Sequence, residues 1–218
     1  MFGFLSSKER VKKNTEKHLE QYSRPSVDFF TLIALSTSIV TVGLVLNNAA
    51  IIIGAMVVAP LITPLFGFSL NLILTNWKGV GRSLLSILTG TALAVFMAIF
   101  FAFIIIVVQE GRLGSTAEII SRTKPDLLYF IVAILSGAAG SFAYARKNLS
   151  EKIVGIAISA AIIPPLGVMG LSIAIKNWGA LESSTILYLL NLIGICFGSI
   201  IMFLILGYGK EEELEIKK

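Results

Sequence analysis

Residues 49–75 form an apolar run with no charged side chain and with two prolines, Pro60 and Pro64, near its middle. Proline has no backbone N–H, and its ring crowds the carbonyl four residues back. Pro60 therefore cannot donate to Met56, and Pro64 cannot donate to Pro60. Drawn as one straight helix the run would measure about 40 Å, more than the roughly 30 Å of a bilayer's hydrocarbon core. A break or a tilt has to take up the surplus. Hydrocarbon offers no donors to freed carbonyls, so a broken segment is viable only against protein or a water-filled cavity.

The rest of the chain places this run in a membrane. Of the 218 residues 56% are hydrophobic and 14% charged, with mean hydropathy +0.87. A soluble domain carries about 25% charged residues. Apolar segments recur at about 29–46, 49–75, 83–108, 127–145, 153–175 and 184–208, each near the roughly 20 residues a crossing needs, the fourth marginally so. With the N-terminus inside, fourteen Lys and Arg fall in inner connections and four in outer ones. Treating the two proline-bearing runs as re-entrant hairpins lowers the split to twelve against six. The positive-inside rule thus favours six crossings of the cell (inner) membrane with both termini cytoplasmic.

The expected organisation is a basic cytoplasmic arm at 1–25, a membrane unit at 26–108, an outer connection at 109–126, a second unit at 127–208 and a charged cytoplasmic tail at 209–218. The arm is too polar for a signal peptide. Val11, Thr15, Leu19 and Tyr22 would give it a weak apolar stripe, compatible with an interfacial helix or a solvated tail. Its basic residues, like those at helix ends, suit a membrane surface rather than nucleic acid. The single cysteine, Cys196, and the single histidine, His18, in the arm, leave no disulfide, no metal cluster and no cofactor to expect.

An internal repeat organises the spans. Residues 54–77, GAMVVAPLITPLFGFSLNLILTNW, align without a gap on residues 155–178, GIAISAAIIPPLGVMGLSIAIKNW, with eight of 24 positions identical. The matches include Pro64/Pro165, Asn76/Asn177 and Trp77/Trp178, which apolar composition alone does not supply. A unit of three spans, repeated, enters from the opposite side the second time. The fold class is therefore an all-α polytopic membrane protein: six transmembrane helices as two inverted three-helix repeats, with spans two and five broken or kinked at prolines.

Thr63-Pro64 reads as N-cap and first helical residue, giving half-helices at about 49–59 and 64–75. The first would offer free carbonyls near 56–60 to a cation; the second would offer N–H groups and a positive helix end to an anion. Pro164 and Pro165 repeat the arrangement without a threonine. Kinks that serve only packing are the competing reading. No Asp, Glu, Lys or Arg lies inside a span, which argues against carboxylate-driven proton exchange and leaves neutral ligands. The candidate substrate- or ion-binding residues are Pro60, Thr63, Pro64, Asn71, Ser159, Pro164, Pro165, Ser172 and Asn191. For the polar ones an interhelical hydrogen bond is the plainer role. Asn47 and Asn48 read as turn residues, and Trp77 and Trp178 as interfacial anchors on opposite sides. Ser36, Thr37, Ser38, Thr41, Ser136, Gly137, Gly140, Ser141, Gly194 and Gly198 read as close-packing positions, within the chain or in a homo-oligomer.

The stretch Asn47–Phe68, NNAAIIIGAMVVAPLITPLFGF, with its second copy, resembles an uncharacterised hydrophobic-domain family of bacterial and archaeal membrane proteins, domain of unknown function number 389. The resemblance covers about 26–208 and implies a prokaryotic integral membrane protein with no settled activity. Many relatives look longer, with a soluble domain ahead of the membrane part. The residues themselves suggest a transporter or channel for a small solute or inorganic ion, bound at paired helix breaks near the midplane. A non-transporting scaffold or assembly factor is the alternative. An enzyme is not expected, because the spans hold no acid–base or nucleophilic constellation.

Overall fold

A computed structural model of the chain describes residues 25–110, 114–145 and 151–209, with the backbone alone over 151–161. The basic arm with its stripe, the inner connection at 146–150 and the charged tail from 210 lie outside the described residues. Those described form eight helices: α1 (Val27–Val45), α2 (Ala49–Met56), α3 (Ile62–Ile73), α4 (Trp77–Val108), α5 (Ala117–Ile120), α6 (Leu127–Tyr144), α7 (Glu151–Ala174) and α8 (Trp178–Ile205). No strand occurs among them. Four of the helices, α1, α4, α6 and α8, are long and apolar enough to cross a membrane.

Helices α4 and α8 begin six residues before the starts at 83 and 184 expected from polarity, so Lys78, Arg82 and Glu182 belong to helices rather than to connections. Asparagine capping is the reason. The Asn76 side chain accepts from the Gly79 N–H at 3.2 Å, and that of Asn177 from the Ala180 N–H at 3.1 Å. Each satisfies a donor that a helix start leaves orphaned. The helices before them end alike. Thr75 and Lys176 take positive φ, 54° and 57°. The Asn76 N–H then reaches the Asn71 carbonyl and the Asn177 N–H the Ser172 carbonyl, both at 2.9 Å. The chain reverses in three residues at both places.

Packing follows small residues. A Cβ at Gly137 would overlap the Ile195 backbone, and one at Gly198 the Ile134 carbonyl oxygen. Helices α6 and α8 therefore approach closely, as their glycines predict. Gly170 of α7 sits against Ala98 of α4. On α3, Ser69 sits against Ser199 of α8, whose hydroxyl donates to it at 2.7 Å. Phe66 of α3 packs edge-on to Tyr144 and Phe203. Buried Ile33, Leu44, Leu61, Leu65, Ile163 and Leu166 join α1, α3 and α7 in one core.

The element ends gather into two groups. At one end the Thr116 hydroxyl donates to the Leu44 carbonyl at 2.7 Å, and the Glu118 N–H to Asn47 Oδ1 at 3.1 Å. Residues 114–123 also share a pocket with Ser172 and Asn177 at this end. At the other end, Gly209 rests on Ile73, and Tyr208 on Phe203. Trp77 starts α4 beside the second group and Trp178 starts α8 beside the first, so α4 and α8 run in opposite directions. Both tryptophans are exposed.

Candidate functional site

The second apolar run is broken. Helix α2 stops at Met56 and α3 starts at Ile62. In a continuous helix the Ala59 N–H would serve the Ala55 carbonyl and residue 60 would serve Met56. Proline cannot, and the Ala59 N–H instead bonds the Met56 carbonyl at 3.3 Å. The Ala55 carbonyl accepts the Val58 N–H at 3.2 Å and, from α1, the buried Ser36 hydroxyl at 2.8 Å. A side chain from a neighbouring helix thus serves a carbonyl displaced by the proline.

Helix α3 starts two residues earlier than Thr63-Pro64 suggests. Its N-cap is Leu61, with no side-chain cap bond, and Pro64 occupies the third helical position. A first-turn residue has no helical acceptor for its N–H, so proline is tolerated anywhere in that turn and does not mark the first residue. The matching run of the second copy differs more. Helix α7 continues through Pro164 and Pro165, so of the break or kink expected there the break does not occur. Adjacent prolines remove two donors from a single turn, those due to Ala160 and Ala161. Pro60 and Pro64, four apart, remove them from two successive turns.

Pro60 and Thr63 are half-buried and Pro64 buried, all within or beside the break. Pro164 and Pro165 are buried in α7, which packs against both α2 and α3. Asn191 is buried on α8. The Ser159 side chain lies outside the described residues. Asn71 and Ser172 stand away from the prolines, in the last turns of α3 and α7 at opposite ends of the bundle. The Asn71 amide donates to the Gly67 carbonyl at 2.7 Å and accepts from Asn76 Nδ2 at 2.8 Å, so it ties the turn between α3 and α4.

Three hydroxyl residues matter more than their sequence roles suggested. Ser36 and Thr37 had only a packing role there, and Ser83 had none. Thr37 Oγ1 and Ser83 Oγ are buried without a hydrogen-bond partner among the described residues. Thr41, one turn after Thr37, lies by Gly167. Because α1 and α7 end at the same end of the bundle, Thr37 sits about one turn back, level with Pro164. The signal was the cluster Ser36-Thr37-Ser38 and Thr41 in an otherwise apolar helix. Among the described residues no three His, Cys, Asp or Glu side chains gather to hold a metal.

The family model described as Domain of unknown function (DUF389) matches residues 56–197. The chain belongs to this family. The match takes in the break around Pro60, both asparagine-capped turns and the proline pair of α7. An uncharacterized protein of Methanocaldococcus jannaschii is 27% identical over 172 residues, 79% of this chain. The chain spans about half of that relative, 52% of its length. No solved structure matches the chain.

Proposed function

We propose that this DUF389 chain is a multi-pass protein of the cell (inner) membrane that moves a small solute or inorganic ion, as a transporter or channel. Its outer faces support the membrane reading: Phe96, Phe100 and Phe103 on α4 and Leu128, Val132 and Leu135 on α6 are exposed, a contiguous cost in water but none in lipid. The opposed courses of α4 and α8, each beginning at an Asn-Trp turn, support two inverted three-helix repeats, with α2 and α3 together forming one passage and α7 its counterpart. On this reading both termini are cytoplasmic.

The observation that carries the proposal is the interruption at Val57–Leu61, where the helical bonding of an apolar run lapses with Ala59 and Leu61 buried and Val57 and Val58 exposed. Discontinuous helices of this kind bind substrate at the midplane of inverted-repeat transporters. Ser36 supports the broken strand of carbonyls, and the unpartnered Thr37 hydroxyl stands at its level beside α7. Pro60 and Thr63 shape the site from one side, with Pro64 in the first turn of α3 behind them, and Pro164 and Pro165 from the other.

Flux into proteoliposomes, against a panel of inorganic ions and small metabolites, tests this. Uptake of one candidate is expected, together with labelling of Thr63→Cys by a water-soluble thiol reagent while buried Cys196 stays unlabelled. No flux for any candidate and no labelling of Thr63→Cys overturns the reading. A scaffold that docks partners through Gly194 and Gly198 is less well supported, because α6 already occupies both glycines.

A further inference from the structure

The two Asn-Trp turns have the same backbone, yet one is filled and the other is hollow. In the first, the Asn71 carboxamide accepts from Asn76 Nδ2 at 2.8 Å and lies where a Cβ on residue 79 would go, which only Gly79 permits. In the second, serine stands at the position of Asn71 and alanine at that of Gly79. A pocket of about 90 Å³ opens there, lined by Ser172, Asn177 and Ala180 together with Ser115, Ile119 and Thr123.

Its polar lining is of hydroxyl and amide groups. Ser172 is 2% exposed and lines the pocket. Asn177 Oδ1 accepts from the Ala180 N–H at 3.1 Å, which leaves its Nδ2 as the counterpart of the group that Asn71 satisfies in the first turn. Ser115 and the N-terminus of the 28-residue helix α8 border the same space, while the Thr123 hydroxyl there donates to the Ile120 carbonyl at 2.9 Å. No described acidic residue lines it, and Lys176 adjoins it in sequence. Donors around a helix N-terminus suit an anion.

We propose that this pocket binds a small carboxylate-like oxyanion, of the size of formate, acetate or bicarbonate, in the place that the chain's own Asn71 carboxamide takes in the other repeat. One ligand oxygen accepts from Asn177 Nδ2, as Asn71 Oδ1 does from Asn76, and another accepts from the Ser172 hydroxyl. The site is distinct from the helix break and does not depend on the chain transporting anything.

The test is equilibrium binding of formate, acetate and bicarbonate to the full chain in nanodiscs, with no gradient, so that a failure of transport leaves the result intact. Saturable binding of at least one is expected in the unaltered chain. The double variant Ser172→Asn/Ala180→Gly supplies the pocket with its own carboxamide and should abolish that binding. Ser172→Ala, which needs no repacking, should weaken it about tenfold, the loss of one hydrogen bond to a charged group. No saturable binding of any of the three, or binding undiminished in Ser172→Ala, overturns the proposal.

Discussion

The Ser36 hydroxyl donates at 2.8 Å to the Ala55 carbonyl, joining α1 to the broken end of α2. Both partners are buried in the helix-packed interior. Ser36→Ala should therefore lower stability by about 1 kcal/mol, in the usual range for an interhelical bond in an apolar surrounding. Ser38→Ala, whose hydroxyl bonds its own helix at Ala34, should cost measurably less. Unfolding in detergent, followed by circular dichroism, separates the two.

Pro60 and Pro64 should differ in consequence, although the sequence presents them as a pair. Pro60→Ala restores a donor for the Met56 carbonyl and removes the reason for the interruption, so α2 should extend and solute flux should fall to background. Pro64 lies in the first turn of α3, where no helical bond is missing. Pro64→Ala should leave flux within about twofold and stability within about 1 kcal/mol. Flux assays on the two variants side by side decide this.

Gly79 and Asn71 should behave as a coupled pair. Gly79→Ala drives a methyl into the Asn71 carboxamide and should cost about 1–3 kcal/mol, as overpacking does. Adding Asn71→Ala clears that space, and the double variant should be more stable than the sum of the two singles implies. A double-mutant cycle on melting measures the coupling.

Glycines on the two sides of the bundle should respond oppositely. Gly198→Leu meets the Ile134 carbonyl and should force α6 and α8 apart, with loss of monodisperse protein. Gly54→Leu, with nothing within 4 Å of its Cβ, should leave stability unchanged within about 0.5 kcal/mol. Size-exclusion profiles and melting curves of both variants check the contrast.

Much of the architecture was legible because its determinants are local. Apolar runs too long for water, prolines without an N–H, and an Asn-Trp pair repeated at an offset of 101 residues read directly as helices, a break and a duplication. Helix starts were missed by six residues because polarity marks where apolar runs end, whereas a helix begins where its first N–H groups find a cap. Asn76 and Asn177 cap inside what reads as a polar connection.

The helix break was legible at Pro60, and the hydroxyl that serves its displaced carbonyl, Ser36, was not. Ser36 matters because α1 lies against the end of α2, and nothing in residues 36–38 says which neighbour will carry a spare carbonyl. Asn71 and Ser172 occupy matching positions of the repeat. Only the packed turns reveal that one side chain closes its own hinge while the other faces an empty pocket.

By itself the sequence determined the apolar helical character, the repeat and the position of the backbone defect, since these follow from residues close along the chain. Tertiary structure decided which defect breaks its helix, which hydroxyl serves it and which of two matched turns stays open. Those outcomes depend on how far apart the packed backbones stand and on which donor reaches which acceptor, and both are properties of neighbours that the chain brings together only on folding.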